Sequence, residues 1–254
     1  MRKTPVTPEG DVIRWTEFPG REPVRLYLHG LGAMSAYFNE IAWHPLLAGH
    51  RSLLVDLMGH GTSDRPTGFA YTLEAHADAV AAVLDAAGVA GVEVVGHSMG
   101  GAVAIVLADR HPRLVSRLLL VDANLDPVPT APAAPGSSGI ASYTEEEFVA
   151  HGWDRTAERV GAHWWATMRL AGPVALHRSA THLARGTRPT MRELLLDLKV
   201  PRTFLYPAPD GALDGADALA AAGVAVVAVP DCGHNIMLDN PEGFARAAAA
   251  ALAS

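Results

Sequence analysis

The sequence contains almost no cysteine, the residue that forms disulfides and cysteine-based metal clusters. Its single cysteine, Cys232, excludes an intrachain disulfide and any cysteine-based metal cluster. Only 20 Lys and Arg stand against 27 Asp and Glu, and no basic run occurs, so neither nucleic acid nor a membrane surface is an expected partner. No apolar stretch reaches the roughly 18 residues of a membrane helix, and the polar amino terminus lacks the apolar segment of a signal peptide. These absences predict a cytoplasmic protein.

What the chain does have is enough apolar material for a large core. Of its 254 residues, 49% are apolar and 19% are charged, which is typical of a folded globular domain. Short β-branched or Leu-rich runs alternate with longer helical patterns, which predicts an α/β fold with a mostly parallel central sheet and helices on both faces. Val12–Thr16 is expected to pair antiparallel at the sheet edge. The other strand candidates are nearly all apolar, as expected for strands covered by helices on both faces: Val24–Leu28, Ser52–Val55, Val92–Val95, Leu118–Val121, Thr203–Tyr206 and Val224–Val229.

Three helices are predicted between and after these strands. Leu73–Ala87 has apolar residues at helical spacing and is expected to stop at Gly88, which tolerates the left-handed conformation that often follows a helix. A second helix is expected from Ser98 to about Arg110. The last one, Pro241–Leu252, has Asn240 at the N-cap position and proline at the first helical position.

The composition changes after residue 124, where an extended connection rich in proline and glycine begins. Helical signatures follow, with a Thr-x-x-Glu capping box starting at Thr144 and another at Thr190. We therefore predict a helical cap over residues 125–198, inserted into a core domain formed by residues 1–124 and 199–254. The prolines of the connection are Pro127, Pro129, Pro132 and Pro135.

The strongest functional signal is a predicted strand that runs directly into Gly96-His97-Ser98-Met99-Gly100 and then into a helix. In this Gly-x-Ser-x-Gly pattern the turn is too sharp for side chains at the glycines, and it lifts the serine hydroxyl above the sheet. The following helix N-terminus offers backbone N–H groups to a developing oxyanion. The pattern predicts that Ser98 is a nucleophile.

Here the sequence resembles the α/β-hydrolase superfamily, and the likeness spans nearly the whole chain. Leu28-His29-Gly30-Leu31-Gly32 looks like the loop after that family's third strand, which implies that Leu31 and Met99 supply the two oxyanion N–H groups. His234 follows glycine beyond the last predicted strand and resembles the family's catalytic base. The chain order, serine first and histidine last, is also the family's.

Two carboxylates are candidates for the acid of a Ser-His-Asp triad. Asp210 stands close to the usual family position, after the strand Thr203–Tyr206, but the expected Gly-x-x-Asp reads Pro207-Ala208-Pro209-Asp210. Asp122 follows the preceding strand, from which some members of the superfamily take their acid. A similar subgroup carries Glu-Gly-Asn where this chain has Asp122-Ala123-Asn124. We favour Asp122 and keep Asp210 as the alternative.

Other conspicuous side chains receive supporting roles. Trp164 and Trp165 in the predicted cap either line a substrate pocket or belong to the cap's core. Cys232 is expected to be a small buried residue, since Ser98 already occupies the elbow, and Asp239 is expected to help cap the last helix. The residues expected to hold loops in place are His29, Asp56, His60 and His97.

The resemblance implies hydrolysis by acyl transfer to water. Ser98 would attack a small or medium apolar ester, lactone or thioester and form an acyl-enzyme. A serine at the elbow excludes relatives that use aspartate there, such as haloalkane dehalogenases and epoxide hydrolases. Two alternatives stay open: a carbon–carbon bond hydrolase of the same fold, and a non-catalytic ligand-binding receptor that keeps Ser98 and His234. A small-molecule substrate is implied, with no metal and no cofactor, and the oligomeric state is left open.

Overall fold

The computed structural model describes residues 1–132, 134 and 136–253, so Pro135 of the predicted connection lies outside the described residues. Eight strands form one sheet in the order β1-β2-β4-β3-β5-β6-β7-β8. The strands from β3 to β8 are parallel, whereas β2 runs antiparallel to both of its neighbours. The strand bounds are β1 Arg2–Pro5, β2 Val12–Phe18, β3 Arg21–Leu28, β4 His50–Asp56, β5 Val92–His97, β6 Val115–Val121, β7 Arg202–Pro207 and β8 Val224–Val229.

The α/β fold predicted from the alternating pattern is confirmed, and each of the six predicted apolar strands coincides with an observed one, the last of them, β8, at an edge of the sheet. The prediction that Val12–Thr16 pairs antiparallel is also confirmed, since Arg14 lies opposite Asp56 in β4. The prediction that Val12–Thr16 lies at the sheet edge is wrong, because β1 pairs with the other side of β2. β1 is a short, mostly exposed strand without apolar alternation. It ends in proline, which is tolerated in an edge strand because an edge N–H faces solvent.

Helices cover both faces of the sheet because apolar residues project from each strand in both directions. In β6, Leu118 and Leu120 join one core cluster, whereas Leu119 and Val121 join the other. Side chains alternate between the faces of a strand, so an unbroken apolar strand is buried on both sides. The helices are α1 Asn39–Ala42, α2 Leu73–Ala87, α3 Met99–Arg110, α4 Ser137–Ile140, α5 Glu145–Glu147, α6 Trp153–Arg159, α7 Ala162–Met168, α8 Pro173–Arg185, α9 Met191–Asp197, α10 Ala216–Ala221, α11 Ile236–Asp239 and α12 Pro241–Ala253.

The predicted helix boundaries agree with the local capping chemistry. Thr72 accepts a hydrogen bond from the Ala75 N–H at the start of α2, and Gly88 ends that helix at φ +66°. At the start of α12, the Asn240 side chain accepts from the Gly243 N–H. Each of these bonds uses a backbone N–H that has no partner within its own helix.

Helices α4 to α9 fill the chain between β6 and β7, within the segment predicted as a cap. Both predicted capping boxes are present, at the starts of α5 and α9. A wide π-type turn over Phe148–Gly152 joins α5 to α6, and tight 3₁₀ turns occur at Ser35–Phe38 and Ala208–Asp210. Within the described part of the chain, no helix is both long and apolar enough to cross a membrane.

Candidate active site

The carboxyl ends of the parallel strands meet at one edge of the sheet, and Ser98 lies there on the sharp turn between β5 and α3. Its backbone adopts φ +53° and ψ −122°, a conformation that side-chain-bearing residues rarely take. A Cβ on Gly100 would lie 2.3 Å from the Leu28 carbonyl oxygen, and one on Gly96 would lie 2.7 Å from that of Gly100. The two glycines are therefore required by space, as the motif predicted.

The Ser98 hydroxyl donates a hydrogen bond to Asn124 Oδ1 at 3.3 Å. Ser98 is 7% exposed, and among the described residues no hydrogen bond joins it to His234. The Asn124 contact was not predicted, because it joins residues 26 positions apart and no local pattern marks it. Asn124 follows β6 closely, so the strand order brings its amide to the nucleophile.

His234 Nδ1 lies 2.6 Å from Asp122 Oδ2, just beyond the ends of β8 and β6. Since a carboxylate only accepts, this bond fixes the proton on Nδ1 and leaves Nε2 free to act as a base. Asp122 holds an uncommon φ of +43°, and its N–H donates to the Leu205 carbonyl at 2.8 Å. Asp210 lies on the exposed 3₁₀ turn after β7 and makes no hydrogen bond to His234.

Two further side chains hold the His234 loop. His97 Nε2 donates to the His234 carbonyl at 2.9 Å, and the two rings lie 4.7 Å apart. Asp239 Oδ2 accepts the Gly233 N–H at 3.0 Å, so the expectation that Asp239 caps the last helix is wrong. Asn240 already caps that helix, which leaves the Asp239 carboxylate facing back toward the loop. Cys232 is buried and donates to the Val229 carbonyl, and burial raises the pKa of its thiol.

Hydrogen bonds of the His29 side chain hold the loop after β3 and orient the peptide that carries the Leu31 N–H. His29 Nε2 accepts the Leu57 N–H at 3.0 Å, so Nδ1 carries the proton and donates to the Gly30 carbonyl at 2.8 Å. The N–H of a trans peptide points opposite to its C=O, so this bond orients the Leu31 N–H. Met99 opens α3, where the first N–H groups have no partner within the helix.

Asp56 is the last residue of β4 and His60 lies in the loop that follows, and both make contacts that hold nearby loops. The Asp56 carboxylate accepts from the Ser35 N–H, the Thr62 N–H and the Thr62 hydroxyl, at 2.7–2.8 Å. His60 Nδ1 lies 3.1 Å from the Met58 carbonyl and is fully buried. Neither residue reaches the cavity at Ser98.

A cavity of about 650 Å³ opens above Ser98 and is also lined by His234, Asn124 and Leu31. The described residues that line it include no Asp, Glu, Lys or Arg. Trp164 lies in the wall, but the structure places Trp165 elsewhere, against Trp153 at 5.3 Å. Successive residues of a helix point about 100° apart, so two adjacent tryptophans on α7 do not face the same space. Other apolar or aromatic side chains in the wall are those of Ala33, Tyr37, Val128, Pro129, Ala131 and Leu183.

The fold agrees with what comparison with known proteins shows. The family described as alpha/beta hydrolase fold matches residues 23–164. The chain belongs to this family. An esterase from Exiguobacterium antarcticum has the same fold, with a TM-score of 0.78 at 22% identity and coverage of 100% of both chains.

Two curated relatives match a shorter segment of this α/β-hydrolase. An uncharacterized protein of Mycobacterium tuberculosis is 39% identical over 105 residues, which are 41% of this chain and 30% of that protein. The 2-hydroxymuconate semialdehyde hydrolase of a Pseudomonas species is 37% identical over 98 residues, 38% of this chain and 35% of the relative. The chain therefore spans about a third of the length of each of these relatives.

A row of three buried histidines begins in the loop after β3 of this α/β-hydrolase. The ring centres of His29 and His60 are 5.4 Å apart, and those of His60 and His76 are 6.4 Å apart. Burial lowers the pKa of all three, to about 3 for His60, and it lowers the pKa of His97 in the same way. In the described residues, no group of three or more His, Cys, Asp or Glu side chains is placed to hold a metal ion.

We expect the fold to lose stability as the pH falls below about 6.5, the usual pKa of an exposed histidine. In the unfolded chain these imidazoles take up protons near that pH, whereas in the folded protein they stay neutral until the pH is much lower. The unfolded state then binds more protons, so the free energy of unfolding falls with pH, by about 1.4 kcal/mol per pH unit for each such histidine. Urea unfolding between about pH 5 and 8 measures this slope.

A matched pair of variants tests whether the buried row causes the slope. His76→Gln is expected to reduce the slope of the unfolding free energy against pH by about 1.4 kcal/mol per pH unit, because it removes one of the buried imidazoles. His151→Gln changes an exposed histidine and should leave the slope unchanged. Equal slopes for the wild type and His76→Gln would contradict the explanation, whatever the absolute stability of the variant.

Proposed function

We propose that this protein is a serine hydrolase that cleaves an uncharged ester, lactone or thioester through an acyl-enzyme on Ser98. One observation carries the proposal: the elbow places Ser98 on the wall of the same cavity as His234, whose Nδ1 is bonded to Asp122. A nucleophile, a base and a group that orients the base are the parts that acyl transfer requires. The esterase with the same fold and the curated hydrolase relative are consistent with this chemistry.

In the acylation step, the Ser98 oxygen attacks the substrate carbonyl carbon. Rotation about the Ser98 Cα–Cβ bond turns the hydroxyl from its hydrogen bond with Asn124 Oδ1 to one with His234 Nε2. The Nε2 atom then takes the hydroxyl proton. The carbonyl oxygen becomes an oxyanion and accepts hydrogen bonds from the Leu31 and Met99 N–H groups. As the tetrahedral intermediate collapses, His234 returns the proton to the leaving alcohol or thiol, and Asp122 stabilises the transient imidazolium.

Deacylation repeats the same proton transfers with water as the nucleophile. His234 Nε2 accepts a proton from water while the water oxygen attacks the acyl carbon. The second oxyanion uses the same two N–H groups, and its collapse returns the proton to the Ser98 oxygen. The free acid leaves, and the Ser98 hydroxyl is restored.

The cavity favours an uncharged substrate. The described residues of its wall include no Lys, Arg, Asp or Glu that could pair with a charged acyl group, and burying an unpaired charge is costly. Its volume of about 650 Å³ lies within the range of sites for small to medium ligands. The Pseudomonas relative is named for a muconate semialdehyde, which carries a carboxylate, and the described wall offers no Lys or Arg to pair with one, so it favours a neutral ester over such a substrate.

The proposal is tested with two pairs of reagents. A fluorophosphonate should label the wild-type protein at Ser98, and the Ser98→Ala variant should remain unlabelled. A neutral p-nitrophenyl ester should be hydrolysed with a kcat/KM at least about tenfold higher than an ester of similar length whose acyl group ends in a carboxylate.

Other outcomes of this test point to other functions. Faster hydrolysis of the anionic ester would contradict the uncharged-substrate proposal. Cleavage of a vinylogous diketone without ester turnover would favour the carbon–carbon hydrolase. Stoichiometric ligand binding with neither labelling nor turnover would favour the receptor.

A further inference from the structure

Helix α7 of the segment predicted as a cap contacts the loop after β3 at Leu31 and the 3₁₀ turn that follows it at Tyr37. The Trp164 indole N–H donates to the Leu31 carbonyl at 2.9 Å. The Tyr37 hydroxyl lies 3.3 Å from the Thr167 hydroxyl, and the Tyr37 ring lies 5.5 Å from that of His163. The loop that carries the proposed oxyanion N–H is therefore fastened to a helix outside the sheet.

The contact at Trp164 completes the support of the Leu31 backbone. The peptide before Leu31 is held at the Gly30 carbonyl, which accepts from His29 Nδ1 at 2.8 Å and from the Ala33 N–H at 3.1 Å. The peptide after Leu31 is held at its own carbonyl by Trp164. With both peptide planes fixed, the direction of the Leu31 N–H is fixed as well.

The indole lies close against this peptide because the next residue has no side chain. A Cβ on Gly32 would lie 2.8 Å from Trp164 Nε1 and 3.0 Å from Met168 Cγ. Gly32 also has φ +68°, which favours glycine. The backbone at Gly32 thus leaves the space in which the indole N–H reaches the Leu31 carbonyl.

We propose that Trp164 is a positioning residue: its N–H bond to the Leu31 carbonyl aims the Leu31 N–H at the oxyanion and makes hydrolysis depend on how α7 is docked. This inference rests on the proposed function. Trp164 stabilises the charge that develops in the transition state only through Leu31, so its loss affects the chemical step rather than ground-state binding. A residue that only lined the pocket would act on substrate binding instead.

The test compares Trp164→Phe with Trp165→Phe on a neutral p-nitrophenyl ester. Trp164→Phe keeps an aromatic ring in the wall but has no N–H, and we expect kcat to fall about tenfold while KM stays within about twofold. A boronic acid that forms a tetrahedral adduct with Ser98 should lose affinity by about the same factor. Trp165→Phe removes an indole outside the cavity wall and should leave both measurements within about twofold of wild type.

Each other outcome has a defined meaning. An unchanged kcat in Trp164→Phe, or a raised KM alone, would overturn the inference and leave Trp164 as part of the pocket wall. If Trp164→Phe does not fold, Trp164 is replaced by 3-benzothienylalanine, which keeps the bicyclic shape but carries sulfur in place of N–H, and the same fall in kcat is expected. The proposed function fails separately, if Ser98→Ala remains active.

Discussion

Ser98→Ala is expected to lower kcat for a neutral ester by about 10⁴-fold or more while the protein stays folded. The variant keeps the Cβ, so the backbone strain at φ +53° and the close fit of Gly96 and Gly100 are unchanged. It loses only the hydroxyl that donates to Asn124 and that would attack the substrate. The measurement is single-substrate kinetics together with a thermal unfolding curve.

The control for this prediction is the same substitution at a distant serine. Ser116 is exposed at the far end of β6, where its hydroxyl donates to the Gly91 carbonyl, so Ser116→Ala should keep wild-type activity. If Ser98→Ala retained more than about a tenth of the wild-type kcat, another group would have to be the nucleophile.

The second large effect is expected from Asp122→Asn. The asparagine side chain would turn either an amide N–H or a neutral oxygen toward His234 Nδ1, so the proton would no longer be held firmly on Nδ1 and the imidazolium would lose its counter-charge. In serine proteases the same change of the triad aspartate lowers kcat by about 10⁴-fold, and we expect a loss of a comparable order here. The change is isosteric, so folding should be preserved.

Asp210→Asn is the matched control, since it makes the same chemical change at the other candidate. Asp210 lies on an exposed turn without a hydrogen bond to His234, so kcat and KM should stay within about twofold of the wild type. If Asp210→Asn were the inactive variant and Asp122→Asn remained active, the usual family position would hold the acid, and the contact at 2.6 Å would be structural only.

The fold was largely predictable because its signals are local. The six parallel strands contain apolar runs, which are typical of a sheet covered by helices. The helix starts at Thr144 and Thr190 are each marked by a capping box of four residues. The elbow was predictable for the same reason, since a strand, a glycine-flanked serine and a helix follow one another directly. β1 was missed because it has only four residues, three of them exposed and the last a proline, which carry no such pattern.

The site was predictable only in part, because a motif identifies a residue but not its neighbours. Trp164 and Trp165 are equivalent in the sequence, yet one faces the cavity and the other faces Trp153. Asp239 precedes the N-cap residue Asn240, yet its carboxylate accepts a hydrogen bond from the Gly233 N–H. These differences follow from the directions in which side chains leave a helix or a loop, and those directions are set by the packing of distant elements.

The sequence by itself determined the parallel sheet, the turn at Ser98 and the position of His234 after the last strand, because hydrophobic period, glycine spacing and chain order act over a few residues. Only the tertiary structure decided that Asp122 rather than Asp210 lies beside His234, a contact across 112 positions. It likewise joined Trp164 to Leu31 across 133 positions. The physical reason is that the order of strands in the sheet brings these groups together, and no stretch of sequence records that order.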